Sequence, residues 1–243
     1  RGIALGLAEA GANVAILDIF PERAEEAAAR VREHGAKALA LPADVMDTDA
    51  LRAAIAATDA EFGRLDILVN NAGGVSGRPF LQQSERSWRK HIDINLISML
   101  AATHAAAPLM IREGKGGSII NVASIEASRA APNFAVYAAC KAGMLSFTKS
   151  MALEFSEHKI RVNCIAPDHT ITPGNQGNRA GPVDPATWKQ HTPEESDAMN
   201  RLVPLLRQGI DLECGDAAVF LSSEMASYIT GVLLPVDGGT HAA

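Results

Sequence analysis

The chain has 243 residues, 22 of them Lys or Arg and 28 Asp or Glu, for a formal net charge of −6. With 47% hydrophobic and 21% charged residues it is neither disordered nor fibrous, and it is long enough to bury a full core. The acidic balance, with no basic patch, argues against nucleic acid as a partner. Arg1 to Gly11 reads as a helix stopped by its glycine. Asn13 to Asp18 is a short apolar run closed by a carboxylate. Pro21 opens a charged helix from Glu22 to His34, and Lys37 to Leu41 is a second apolar run. Asp47 caps a helix reaching Phe62, with Gly63 at its end. Leu65 to Val69 is a third run, and a long helical pattern follows from Ser84 to Arg112. Gly114, Gly116 and Gly117 break it before the fourth run, Ser118 to Val122. A helix over Phe134 to His158 leads to the fifth run, Lys159 to Ile165. A Pro/Gly/Asn-rich stretch from Pro167 to Pro193 precedes short helices at Glu194–Leu206 and Cys214–Ser222, and Val232 to Val236 closes the series.

Short apolar runs alternating with longer helices predict an α/β fold, a doubly wound parallel sheet with helices on both faces. No linker or composition shift divides the chain, so residues 1–243 read as a single domain. The irregular segment 168–200 is too long for an ordinary connection and reads as a substrate-binding loop or lid. Cys140, Cys164 and Cys214 are far apart and odd in number, which predicts buried free thiols in a reducing, cytoplasmic compartment. No His/Cys spacing suggests a metal. The uncharged stretch Ile94–Ile111 contains Asn95, Ser98, Thr103, His104 and Pro108, which argues for a buried helix and against a membrane span.

Residues that carry chemistry gather at strand ends. Tyr137 and Lys141 lie four apart on a predicted helix, so they share a face. A neighbouring ammonium favours the phenolate, which makes Tyr137 a candidate general acid/base. Ser124 follows the fourth run, Asn70 to Gly73 follow the third, Asp44 and Val45 the second, and Asp18 the first. Ligands of open parallel sheets bind at the carboxyl ends of strands.

Asn70-Asn71-Ala72-Gly73, Ser124, Tyr137-x-x-x-Lys141 and Val236-Asp237-Gly238-Gly239, in this order and spacing, resemble a short-chain dehydrogenase/reductase along the whole chain. The resemblance implies a Rossmann-like fold and roles for individual residues. Tyr137 would pass a proton to or from a substrate oxygen, Ser124 would orient that oxygen, and Lys141 would hold the nicotinamide ribose. Asn95 would hold a relay water. Donors aimed at an oxygen that gains charge favour the transition state. Asp18 would accept the adenosine ribose hydroxyls and repel a 2′-phosphate, which favours NAD over NADP. Asp44 and Val45 would meet the adenine, and Asn70, Ala72 and Gly73 would line the ribose. Pro167-Asp-His-Thr-Ile-Thr172 matches the nicotinamide clamp at Pro167 and Thr172, while Asp168 replaces a glycine and Thr170 an aliphatic residue. Glu126, two residues after Ser124, sits where the substrate pocket begins and could take a polar or cationic substrate group.

The implied activity is hydride transfer between NAD(H) and a small secondary alcohol or ketone, of hydroxysteroid, cyclic-alcohol or sugar/polyol type. A 3-oxoacyl-thioester reductase and a non-catalytic nucleotide-binding protein are the alternatives. The family opens with a strand and a glycine-rich phosphate loop, whereas the helix ending at Gly11 begins here at Arg1. That strand and loop are therefore expected to be missing from this sequence, with poor stability and weak NAD binding as the expected consequence. Broad Ala/Leu/Met faces around 84–111 and 134–157 predict burial on a second side, and the family implies a homotetramer or homodimer.

Overall fold

The computed structural model describes residues 1–178 and 180–242; Arg179, inside the expected 168–200 loop, and Ala243 lie outside the described residues. The elements run α1 (Gly2–Glu9), β1 (Val14–Asp18), α2 (Pro21–Glu33), β2 (Ala38–Pro42), α3 (Thr48–Phe62), β3 (Ile67–Asn70), α4 (Glu85–Ile92) and α5 (Ser98–Glu113). They continue with β4 (Gly117–Val122), α6 (Ala135–Glu154), β5 (Ile160–Pro167), β6 (Thr170–Ile171), α7 (Pro193–Asn200), β7 (Gly209–Ile210), α8 (Asp211–Ser222) and β8 (Leu233–Val236). Local chemistry sets several ends. Asp47 accepts from the amides of Asp49 and Ala50 to open α3, and Gly63 closes it with φ 76°. Pro21 occupies the first turn of α2.

The chain divides into two compact units, one of residues 1–42, 167–219 and 235–243, the other of residues 43–166 and 220–234. In the first, β1 and β2 pair in parallel from Val14↔Ala38 to Asp18↔Pro42. Leu5 and Ala8 of α1 bury with Val31 of α2 against Val14, Ile16 and Ala38. Gly2 and Gly6 sit inside α1 because α8 comes close: a Cβ on Gly2 would strike the Asp211 carbonyl, and one on Gly6 would lie 3.3 Å from the Val219 side chain. The Val236-Asp-Gly-Gly motif forms a turn, in which the Asp237 carboxylate accepts from the amides of Gly239 (2.9 Å) and His241 (2.6 Å). Gly238 has φ 62°, and a Cβ there would collide with Val203.

In the second unit β3, β4 and β5 are parallel, and the sheet order is β3-β4-β5-β8. β4 and β5, with a strand on each side, are buried at most positions. Met110 of α5 and Ala152 of α6 pack with Ile119, Ile160 and Val162 of the sheet. Met99 and Met144 pack with Ala123, Ala127 and Cys164. The expected Ser84–Arg112 helix is there as α4, a wider π turn over Asp93–Ile97, and α5. By length and composition the stretch Glu85–Glu113 could cross a bilayer, yet half of its most apolar window is buried inside the protein. All three cysteines are free and buried.

Within residues 168–222 three features differ from expectation. The helix expected over Glu194–Leu206 ends at Asn200, with Leu206 in the left-handed region at φ 57°. Its start is fixed by a capping box between Thr192 and Glu195. The helix expected at Cys214–Ser222 begins three residues earlier, at Asp211. Two residues of the irregular segment, Thr170 and Ile171, pair in parallel with Gly209 and Ile210, a contact too short to show as a periodic run.

Candidate active site

The second unit holds the candidate catalytic residues. Tyr137 lies in the first turn of α6 and Lys141 one turn further, which places the Lys141 ammonium 5.7 Å from the centre of the Tyr137 ring. Lys141 is 3% exposed and donates to the carbonyl of Val122 at the end of β4, at 2.7 Å. Burial pushes its pKa from 10.5 down to about 8, against a smaller upward pull from Cys164 and Cys140. The helical spacing thus does what it predicts: it sets a cation against the phenol.

Ser124 follows β4 and is buried. Its hydroxyl donates to a carboxylate oxygen of Glu126, and the other oxygen of Glu126 lies 3.2 Å from the Arg129 guanidinium. Burial alone would raise the Glu126 pKa; the hydrogen bonds from Ser124, the backbone and Arg129 outweigh it and hold the carboxylate below its usual range. Sequence reasoning singled out both residues but not their bond to each other.

Asn95 is buried within the π turn. Its amide nitrogen donates to the carbonyls of Gly74 and His91, each at 2.9 Å, and its oxygen accepts from the Gly74 amide at 3.1 Å. Both amide hydrogens are therefore committed, one to the loop after β3 and one to the His91 carbonyl a turn earlier, and any water would have to donate to the oxygen. A Cβ on Gly73 would lie 2.9 Å from that oxygen and 3.6 Å from the Lys141 nitrogen, so only glycine lets the loop pass here.

Sequence reasoning missed two supporting networks. The buried His91 holds the Ser87 carbonyl at 2.9 Å through Nδ1 and the Ser76 amide at 3.3 Å through Nε2. A carbonyl only accepts, so Nδ1 carries the proton and Nε2 accepts. Asn70 donates to Asn121 (2.8 Å) and Thr103 (3.3 Å), Asn121 donates to Thr148 (2.8 Å), and Thr148 meets Cys164 at 3.1 Å. Asn70, Asn121 and Cys164 are aligned across β3, β4 and β5. The polar Asn121 inside an apolar strand was the available signal. This network commits the Asn70 side chain to the end of β3, with Ala72 and Gly73 exposed beyond it. Asp44, also in this unit, accepts from the Met46 amide at 2.9 Å and so turns the chain after β2, with Val45 half-buried beside it.

The remaining candidates belong to the first unit. Asp18 ends β1 and accepts from the Phe20 amide at 2.9 Å, which fixes its carboxylate at the strand terminus. Pro167 ends β5, and Thr170 in β6 donates to the Asp168 carbonyl at 3.2 Å. Thr172 donates its amide to Asn175 at 2.9 Å. Asp168 lies 3.4 Å from the imidazole of His169, whose φ is 43°. Arg23 donates to the carbonyls of Gly181 (2.5 Å) and Asn178 (2.9 Å).

A family model described as enoyl-(acyl carrier protein) reductase matches residues 1–241. Oxidoreductase UcpA of Salmonella typhimurium is 37% identical over 243 residues, covering 99% of this chain and 89% of that protein. The structure of carveol dehydrogenase from Mycobacterium avium in complex with NAD aligns with a TM-score of 0.89 at 29% identity, over 100% of this chain and 93% of that one. A gluconate 5-dehydrogenase from Burkholderia cenocepacia in complex with NADP and tartrate aligns with a TM-score of 0.84 at 34% identity, over 100% and 90%.

Proposed function

The chain belongs to the short-chain dehydrogenase/reductase family, with its Rossmann-like fold and oxidoreductase chemistry, and from that premise we propose that it interconverts a secondary alcohol and a ketone with NAD(H). The observation that carries this reading is the buried Lys141 ammonium set against the Tyr137 ring at the end of β4. Tyr137 moves a proton to or from the substrate oxygen, and Ser124 orients that oxygen. The charge on Lys141 favours the phenolate, the base that takes the alcohol's proton in oxidation and the form left when a ketone is reduced.

The residues fit a nicotinamide dinucleotide. The missing Cβ of Gly73 leaves room beside Lys141. An ammonium has three donors, and Val122 takes one of those of Lys141, so ribose hydroxyls can take others. When bound, the cofactor supplies or accepts the hydride. Asp18, an acceptor at the end of β1, supports NAD: it suits ribose hydroxyls and repels a 2′-phosphate. Asp44, Val45, Asn70 and Ala72 are proposed for the adenosine part, and Pro167, Thr170 and Thr172 for the carboxamide. One solved relative holds NAD and another NADP, so this preference rests on Asp18.

The segment 168–200, with Trp188, supports a bulky or cyclic alcohol, which it would cover as a lid. A second reading, a 3-oxoacyl-thioester reductase, draws support from the acyl-carrier description of the matching family model; Asp18 weighs against it because such reductions usually draw on NADP. Exposed Leu153, Met225 and Tyr228, together with the apolar α5 and α6, support a homotetramer or homodimer. The buried free thiols support a reducing, cytoplasmic setting.

The test is NADH formation over a panel of secondary alcohols, with NADP in parallel and Tyr137→Phe as control. Turnover should fall by about 10²–10⁴-fold in the variant, the usual contribution of general acid/base catalysis. NAD binding without any turnover would overturn the catalytic reading.

A further inference from the structure

We infer that Glu126 selects substrates with a second hydroxyl on the carbon beside the reacting one: vicinal diols in oxidation, α-hydroxy ketones in reduction. This rests on the alcohol–ketone reading above. Ser124 has a single hydroxyl hydrogen, and the structure gives it to the Glu126 carboxylate. A hydrogen bond to a charged acceptor is about twice as strong as a neutral one. A substrate oxygen arriving at Ser124 therefore meets lone pairs, whereas the developing alkoxide needs a donor.

A simple secondary alcohol can recruit the Ser124 proton only by breaking that bond and leaving Glu126 without a replacement. A vicinal hydroxyl supplies one. The oxygens of Ser124 and Glu126 are in hydrogen-bond contact. Two gauche vicinal oxygens are likewise close neighbours, on the order of 2.8 Å apart. The two substrate oxygens can thus stand opposite the two protein oxygens. The neighbouring hydroxyl donates to Glu126, the Ser124 proton turns to the reacting oxygen, and the reacting hydroxyl gives its own proton to Tyr137. Each proton keeps one acceptor, and hydride leaves for the cofactor as in the parent reaction.

The charge around Glu126 favours a neutral donor over a cation. Arg129 already occupies its other oxygen at 3.2 Å, so a substrate ammonium would arrive beside a guanidinium. The carboxylate is only partly buried, with 19% of its side chain exposed, which leaves it reachable. Glu126 acts through Ser124 and by touching the neighbouring hydroxyl.

The experiment compares kcat/KM for isopropanol against propylene glycol, and for cyclohexanol against its vicinal diols, in the full chain with NAD. Wild type, Glu126→Ala and Glu126→Gln are run side by side, with thermal melts and the KM for NAD as controls. The wild type should prefer each diol by about ten- to a hundredfold, the range of one hydrogen bond to a charged group. In Glu126→Ala the preference should fall to within about threefold, because the simple alcohol gains about tenfold from the released Ser124 and the diol loses its bond to the carboxylate. Glu126→Gln, a neutral acceptor of the same shape, should fall between. A merely structural role for Glu126 would lower both substrates together and could not raise the simple alcohol. Equal turnover of diol and simple alcohol by the wild type, or an unchanged preference in Glu126→Ala, overturns the inference and leaves the dehydrogenase standing. If the wild type binds NAD yet oxidises neither kind of alcohol, both fall.

Discussion

Replacing Lys141 with Met should make the protein inactive and change how its stability depends on pH. Lys141 is 3% exposed, and burial lowers its pKa from 10.5 to about 8. At about 1.4 kcal/mol per pH unit, this is a penalty on the charged form of about 3 kcal/mol. The sign follows from linkage. Below pH 8 both folded and unfolded chains carry the ammonium, and the folded one bears the full penalty. Between pH 8 and 10.5 the unfolded chain binds more protons, so stability rises with pH. Met nearly matches the side chain in volume and carries no charge, so in Lys141→Met that rise disappears. Near neutrality the gain is partly offset, by about 1–3 kcal/mol, because the Val122 carbonyl loses its donor. The variant should therefore match or modestly exceed the wild type at pH 7 and lose that advantage by pH 10. Urea denaturation of both proteins across this range measures the difference. Turnover should fall by at least about 10²-fold, since the phenol loses its cation. A stability difference that stays constant with pH would refute the claim that Lys141 is charged and penalised in the folded protein.

Two further substitutions test separate parts of the site. Asn95→Ala strips the Gly74 amide, the Gly74 carbonyl and the His91 carbonyl of their partner, and should cost about 2–3 kcal/mol in urea denaturation; unchanged stability would mean that the loop after β3 is held elsewhere. Asp18→Asn removes the charge but keeps an acceptor for the Phe20 amide. The preference for NAD over NADP should then shrink by about tenfold in KM ratios, and a preference that does not move would assign cofactor selection to another group.

Glycine stops, an aspartate cap and a proline start were enough to locate α2 and α3, because each acts on backbone groups within a few residues. The same locality placed Tyr137 and Lys141 on one face. It failed at residues 201–206, where turns follow α7 although the apolar pattern continues, and where the contact Leu205–Gly238 joins distant stretches. It failed also at β6, whose two residues gain their pairing only from Gly209 and Ile210.

The sequence by itself determined the alternation of strands and helices, the polar residues at strand ends and the helical pairing of phenol and ammonium. All of these depend on near neighbours and on period. Only the tertiary structure decided that Asn95 clamps the loop after β3, that Asn70, Asn121 and Cys164 on three strands are joined through Thr148 of α6, and that the Ser124 proton belongs to Glu126. The first two join groups far apart in the chain. The third depends on one χ choice at a strand's end, which no pattern of hydrophobicity encodes.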